Sequence, residues 1–389
     1  MDKLLFLSAH LPAADAKEAG QKTAFRNLEL LAQKYEIYLT AFRNENETEC
    51  DITELQQLCS SIRIFDVSTS MRLGAVCKNP SLPLLVSVRY FREAEDHLKS
   101  LIQEYKFDRL HCEYGQMACY APVLSGIPVK TIYLHDVLTQ WASRRCMSSK
   151  NPANKMIFYH DYRKSAAWEK YYYIRYFDRV YVPSEKDKKE LLAINQDLEP
   201  RLNVLPLYFQ TFTHSERKPE EGAIMFWGAM NRVENEQAAV WFVKNVWPKI
   251  KQRVSNAKLY IVGNAPTNNV KKLAGQDIII TGFVEDPGPY FSRAQLAVVP
   301  LLTGAGVKAK TIESLAAGLP VIASDIGAEG IDASKDEGLI VVPDGNIDSF
   351  ANEVCSLLID PKRCFELGQI GARWVRSHYN PDLQCLLEV

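Results

Sequence analysis

Between Leu301 and Gly330 the chain reads LLTGAGVKAKTIESLAAGLPVIASDIGAEG. A buried strand is expected to end at Leu302. Gly304 and Gly306 then free the backbone for a tight turn, and a helix starts near Val307. Backbone N–H groups at a helix start, together with the helix dipole, form an anion site. Lys308 and Lys310 place two cations in that first turn, against the dipole, so the pattern asks for a negative ligand such as a nucleoside diphosphate. The plain alternative is that the glycines only turn the chain and both lysines are solvated. Gly304, Gly306 and Ala309 also satisfy G-x-G-x-x-A, with Asp325 ~20 residues on, the fingerprint of an NAD-dependent oxidoreductase. A fingerprint loop usually opens its domain, however, whereas several strand–helix units precede this one.

Other residues of chemical interest stand alone. His135 falls at the end of an apolar run, where a lone histidine is more often structural than catalytic. His10 ends another run, and His111 reads as core or as support behind a site. Glu113 ends a central strand and could touch a second substrate. Asp325, Glu329 and Gly330 border the loop after the next strand, where a structural turn is expected. No D-x-D pair and no paired-carboxylate pattern of the hydrolase type is found.

The elements that must position these residues alternate almost throughout. Expected strands are Leu4–Ala9, Ile37–Phe42, Ile62–Val67, Arg109–Glu113, Val129–His135 and Val180–Ser184, then Ile224–Gly228, Leu259–Gly263, Ile278–Thr281, Leu296–Leu302, Val321–Asp325 and Leu339–Pro343. Amphipathic stretches separate them, among them Thr23–Tyr35, Val88–Tyr105, Asn235–Val254, Lys308–Ala317 and Ser349–Leu358. Continuous apolar strands alternating with helices imply α/β architecture with parallel sheets covered on both faces. Charged HSERKPEEG, residues 214–222, reads as a linker. The expected organisation is a Rossmann-like domain over 1–213, a second over 223–360, and a tail over 361–389. Its helix, Pro361–Ser377, either crosses back to the first domain or packs on its own. Two such domains facing each other would make an interdomain cleft, a common place for small-molecule sites.

Composition bounds the function. With 389 residues, 47% of them apolar, disorder as a whole is excluded. Lys and Arg number 46 against 47 acidic residues, which argues against a dedicated nucleic-acid binder. No apolar run approaches the ~18–20 residues of a membrane span. The opening MDKLLFLSAHLPAA is interrupted by Asp2, His10 and Pro12 and reads as a first buried strand, not a signal peptide. Nine cysteines without C-x-x-C spacing fit a reducing cytoplasm. The span Trp141–Arg179 carries nine Lys and Arg against three acidic residues. Trp168, Tyr171, Tyr172 and Tyr176 share one helical face within it. A core helix with a solvated basic face is the bland reading; an acceptor-side surface meeting anionic lipid or a lipid-linked phosphate is the sharper one.

The glycine–lysine segment resembles the nucleotide-sugar loop of the retaining family 4 glycosyltransferases, which have the GT-B fold. FWGAMNRVENEQAAVWFVKNVWP, LYIVGNAP and IIITGFVED look like successive donor-domain motifs. EAGQKTAFRNLELLAQKYEIYLTAF resembles the family's glycine loop and first helix, and HCEYGQMACYAPVL with YLHDVLTQW its central strands. The resemblance implies that Lys310, with Arg232 or Lys308, holds the donor diphosphate, and that Glu313 contacts the donor ribose. Gly304, Gly306 and Val307 would place amides near sugar and phosphates. Phe283 and Val284 would line the base pocket, Gly20 and Gln21 would approach the phosphates, and His135 would face the transferred sugar. Two positions depart from the family pattern. Ala305 stands where the first of two motif glutamates belongs, and Gly228 is followed by Ala229 and Met230 where a glycine-arginine pair is usual. Arg232 is the substitute for that arginine.

The implied activity is metal-independent transfer of a sugar from a nucleoside-diphosphate donor, with retention and with no cofactor beyond the donor itself. The acceptor is a saccharide, a lipid-linked glycan or a small molecule. Further alternatives are an epimerase or hydrolase on the same fold, the NAD enzyme above, and a non-catalytic nucleotide-sugar sensor.

Overall fold

The computed structural model describes residues 1–14, 16, 19–45, 52–149, 151–207, 217–304 and 306–379. Ala305, Lys150, residues 214–216 of the expected linker and the tail from 380 onward lie outside the described residues. Two compact units, within 1–207 and within 217–379, are each built on one parallel sheet.

The first unit contains β1 (Asp2–Ser8), β2 (Tyr35–Asn44), β3 (Cys59–Val67), β4 (Arg109–Glu113), β5 (Val129–Tyr133), β6 (Arg179–Val182) and β7 (Leu202–Val204) in the order β3-β2-β1-β4-β5-β6-β7. The central strands are apolar on both faces: Leu4, Leu5, Phe6 and Leu7 are all buried. Helices over both faces must supply that cover. Chain order reverses between β1 and β4, whose ends are in register at Ser8 and Glu113. Ligands of open parallel sheets bind outside the strand ends at such a switch point.

The second unit contains β8 (Ala223–Trp227), β9 (Lys258–Val262), β10 (Ile278–Gly282), β11 (Leu296–Val299), β12 (Val321–Ser324) and β13 (Leu339–Val342), ordered β10-β9-β8-β11-β12-β13. Its switch point lies between β8 and β11. The glycine–lysine loop follows β11.

Six helices carry or flank the residues of chemical interest: α1 (Ala19–Leu31), α2 (Leu138–Ser148), α3 (Pro152–Tyr176), α4 (Val233–Trp241), α5 (Ala309–Ala316) and α6 (Pro361–His378). Several expectations need correction. β7 was not anticipated, because a three-residue strand leaves no periodicity. The single helix expected over Asn235–Val254 starts at Val233 and is broken by a π-helical turn over Phe242–Val246. α6 packs on α5 of its own unit.

Residues 217–222 are not a free linker. Half-buried Arg217 donates to the carbonyls of Gly318 and Ala294, Glu220 takes Lys258 and the Tyr260 hydroxyl, and the Gly222 N–H donates to Gln295 at 2.9 Å. Charge and Pro suggested solvent; here Arg217 and Glu220 each have fixed partners.

Candidate functional site

In the second unit, Gly228 directly follows β8 and α5 begins at the switch point beside it. Lys310, in the first turn of α5, is half-buried, with its ammonium turned inward. Its ammonium donates to Asn235 Oδ1 and lies 6.0 Å from the Phe226 ring centre. Asn235, on α4, in turn donates from Nδ2 to the Ala229 carbonyl at 2.8 Å. Burial, then the neighbouring charges of Arg232 and Lys308, push the Lys310 ammonium down to about 7. Gly228 makes this possible. At φ +151°, it would carry a Cβ 3.1 Å from Asn235 Nδ2 and 3.4 Å from Lys310 Nζ. The floor behind it is tight as well: a Cβ on Gly263, at the end of β9, would fall 1.9 Å from the Gly228 carbonyl oxygen. Backbone bonds from Gly228 to Val262 (3.0 Å) and from Met230 to Asn264 (2.8 Å) lace the two loops together.

The loop itself turns through Gly304 and Gly306 at positive φ, and α5 starts at Ala309, two residues later than expected. Lys308 is not solvated. It is 8% exposed, donates to the Gly306 carbonyl, and lies 3.5 Å from the carboxylate of Glu329, which was expected only to shape a turn. Glu313, one turn along α5, accepts from the indole N–H of Trp227 at 2.8 Å. Thr311 pins the helix to the Gly327 carbonyl at 2.7 Å. Phe283 is 73% exposed at the rim, and Val284 and Val307 pack on the core.

The first unit builds a different cluster at its own switch point. Glu113, which could have touched a second substrate, is fully buried, and its carboxylate is taken up by three side chains. One carboxylate oxygen accepts from Asn27 (2.8 Å) and lies 3.0 Å from His111 Nε2; the other lies 2.7 Å from His135 Nε2. Burial pushes this carboxyl up, but the hydrogen bonds from His111 and His135 outweigh it and hold the group at about 2. His135 stacks on Tyr114, ring centres 3.8 Å apart. Tyr114 adopts φ +73°, an outlier for a bulky residue and a sign of local constraint. Gly20, in the first turn of α1, lies against both rings: a Cβ there would sit 2.8 Å from Tyr114 Oη and 3.2 Å from His135 Nδ1. Gln21 follows Gly20 in α1. Its buried amide donates to the Leu11 carbonyl at 2.8 Å and ties down the β1 loop. His10 lies 3.3 Å from Asn44 Nδ2.

Sequence reasoning missed Asn235, Trp227, Asn27 and Tyr114. The usable signal was helical phase: Asn27 lies seven residues after Gly20, on the same face of α1.

Two parallel sheets, each presenting polar loops at a switch point, define a protein of the GT-B class. A sucrose-phosphate synthase from Thermosynechococcus elongatus superposes with a TM-score of 0.66 at 17% identity, over 97% of this chain and 95% of that one. The Anabaena protein HepE, in complex with UDP-glucose, does so at 0.63 and 12% identity, over 99% and 97%. Within that class, residues 221–360, most of the second unit, match the family Glycosyl transferases group 1. A GDP-mannose-dependent alpha-(1-6)-phosphatidylinositol monomannoside mannosyltransferase of Mycobacterium tuberculosis is 31% identical over 149 residues, 35% of this chain. That match spans about two fifths (39%) of the enzyme's length. An uncharacterized 44.6 kDa protein in the cps region of Klebsiella pneumoniae is 21% identical over 88% of both chains.

Proposed function

We propose that this chain transfers a sugar from a nucleoside-diphosphate sugar to a hydroxyl of a glycan or lipid-linked acceptor, with retention and without a metal. The observation that carries the reading is Lys310: a buried ammonium at a helix start, crowded by Arg232 and Lys308, which a diphosphate would neutralise. The bond from the anomeric carbon to the diphosphate breaks, the acceptor oxygen bonds to that carbon, and its proton passes to the leaving diphosphate on the same face. Lys310, Arg232 and the amides around Gly306 would stabilise the charge that develops on the leaving group. Glu313, fixed by Trp227, would hold the ribose.

The test is a thermal-shift panel of UDP, GDP, ADP, TDP, CMP and NADH on wild type and Lys310→Ala. A ligand at about 100 times its Kd adds about 2.7 kcal/mol of stability. One nucleoside diphosphate should stabilise wild type and not the variant, which also names the donor base. Stabilisation by NADH alone would overturn the reading.

The hairpin of α2 and α3 supports peripheral contact with the anionic cytoplasmic face of a membrane. Among the described residues no helix is long and apolar enough to cross one. Both acidic residues of α3 turn inward: Asp161 accepts from the Leu84 N–H at 2.7 Å, and Glu169 from the N–H groups of Leu138 and Thr139. Cations therefore dominate the outer surface, with Met147, Met156, Ile157 and Tyr159 exposed among them. Sedimentation with phosphatidylglycerol vesicles, and not with phosphatidylcholine, is expected, and Arg144, Arg145 and Lys155 changed together to Ser should abolish it. Unchanged binding by the folded variant would exclude this surface.

A further inference from the structure

The buried carboxylate of Glu113 touches nothing that could be a ligand, yet it organises the residue that could. Ionised, it only accepts hydrogen bonds, so each nitrogen that bonds to it must carry a proton. His135 meets it through Nε2 at 2.7 Å. The proton of a neutral His135 therefore sits on Nε2, and Nδ1 presents a lone pair. The ring cannot rotate to exchange the two nitrogens. Tyr114 stacks on one face at 17° to the ring plane, and Tyr133 meets it edge-on, ring centres 4.8 Å apart. Glu113 is fixed just as firmly. Asn27 and His111 occupy its other oxygen, and His111 is held from behind by Thr131 Oγ1 at 2.7 Å.

Nδ1 is the atom left over. His135 is 7% exposed, and no hydrogen-bond partner lies against Nδ1 among the described residues. A buried polar atom without a partner is rare and calls for an explanation. It points at Gly20, where the absent side chain leaves open the first turn of α1. We propose that Glu113 is a positioning residue which, braced by Asn27 and His111, holds His135 with its proton on Nε2, so that Nδ1 faces the site as a hydrogen-bond acceptor for a ligand hydroxyl.

The consequence is chemical selectivity at this point. A lone pair accepts from a sugar hydroxyl and repels a phosphoryl oxygen. A ligand that offers a hydroxyl, and not a phosphate, therefore belongs in front of His135. That this hydroxyl is a sugar's rests on the glycosyltransferase reading; the tautomer does not. A carboxylate that merely filled space could be replaced by its amide with little change. Gln at 113 can present its NH2 to His135 Nε2, which then has to become the acceptor and hand its proton to Nδ1.

The experiment uses full-length protein labelled with 15N-histidine, without ligand, at pH 7.5. Two-bond proton–nitrogen correlations read the tautomer, and His135→Gln assigns the signal by its loss. Wild type should show His135 protonated on Nε2 with a bare Nδ1. Glu113→Gln should lose that single form, and Glu113→Asp should keep it. In steady-state transfer, Glu113→Gln should lower kcat at least about tenfold, as expected when a histidine is held in the wrong tautomer, with KM for the nucleotide sugar within about threefold. A wild-type His135 protonated on Nδ1 overturns the proposal without recourse to any variant. So does a Glu113→Gln protein whose His135 signal is unchanged. Failure of every nucleotide to bind would overturn the glycosyltransferase reading and leave the tautomer result untouched.

Discussion

Lys310→Met separates the cost of the buried ammonium from its use. The group falls from its usual 10.5 to about 7, and each pH unit of that drop corresponds to about 1.4 kcal/mol, so its fully charged form destabilises the empty protein by about 5 kcal/mol. At pH 7, where the group is half charged, the penalty is about 4 kcal/mol. Methionine fills the same volume without the charge but leaves Asn235 Oδ1 without its donor, a loss of about 1–3 kcal/mol. The empty variant should therefore be about 1–3 kcal/mol more stable than wild type at pH 7, while losing the nucleotide sugar. The unfolded chain binds the extra proton between pH 7 and 10.5, so wild-type stability contains a term that rises with pH across that window. The variant lacks this term, and the gap should close as pH increases. Urea midpoints of both proteins at pH 6, 7, 8 and 9 measure it. Titration calorimetry in buffers of different ionisation enthalpy gives the complement: wild type should take up about half a proton per nucleotide sugar bound at pH 7. A nucleotide sugar is the right ligand, since its doubly esterified phosphates do not titrate near neutrality. A variant less stable than wild type at pH 7, with a gap that ignores pH, would refute the reasoning.

Gly228→Ala brings a methyl within 3.1 Å of Asn235 and 3.4 Å of Lys310 at a left-handed φ; nucleotide affinity by calorimetry should fall about tenfold. Trp227→Phe removes the donor to Glu313 and should lower kcat/KM by about 1–2 kcal/mol, five- to thirtyfold, mostly through KM. Gly20→Ala drives a methyl against Tyr114 Oη; transfer should drop about a hundredfold, with the thermal shift by nucleoside diphosphate retained. Arg217→Ala removes a half-buried cation from the Gly318 and Ala294 carbonyls and should destabilise by about 1–3 kcal/mol, read as a lower urea midpoint.

The sheets were legible because their strands are unbroken apolar runs, and runs such as Leu4–Leu7 or Val321–Ala323 have no other place to go than a covered parallel sheet. Glycine and lysine spacing pointed to Gly304, Gly306 and Lys310 because backbone freedom and charge are local properties, and the resemblance pointed to Gly228. Their partners were not legible. Asn235 meets Lys310 across 75 residues, and Trp227 meets Glu313 and Asn27 meets Glu113 across 86. Such pairings are decided by strand order, and no period in a single sequence encodes which strand ends become neighbours. Glu113 illustrates the difference. Its position at a strand end left contact with a second substrate open, and only the register of β1 and β5 beside β4 encloses it between two histidines.

The close approach of Gly228 and Gly263 has a consequence for how this domain can diverge. Where two main chains touch with no room for a methyl group, neither loop can be rebuilt alone, because a shift in one displaces the other. Changes of ligand preference in descendants of this chain must therefore be written at the rim, in side chains such as exposed Phe283, while the backbone beneath stays constant. Libraries that diversify 281–284 and spare 228 and 263 should keep folded members at a far higher rate than the reverse design.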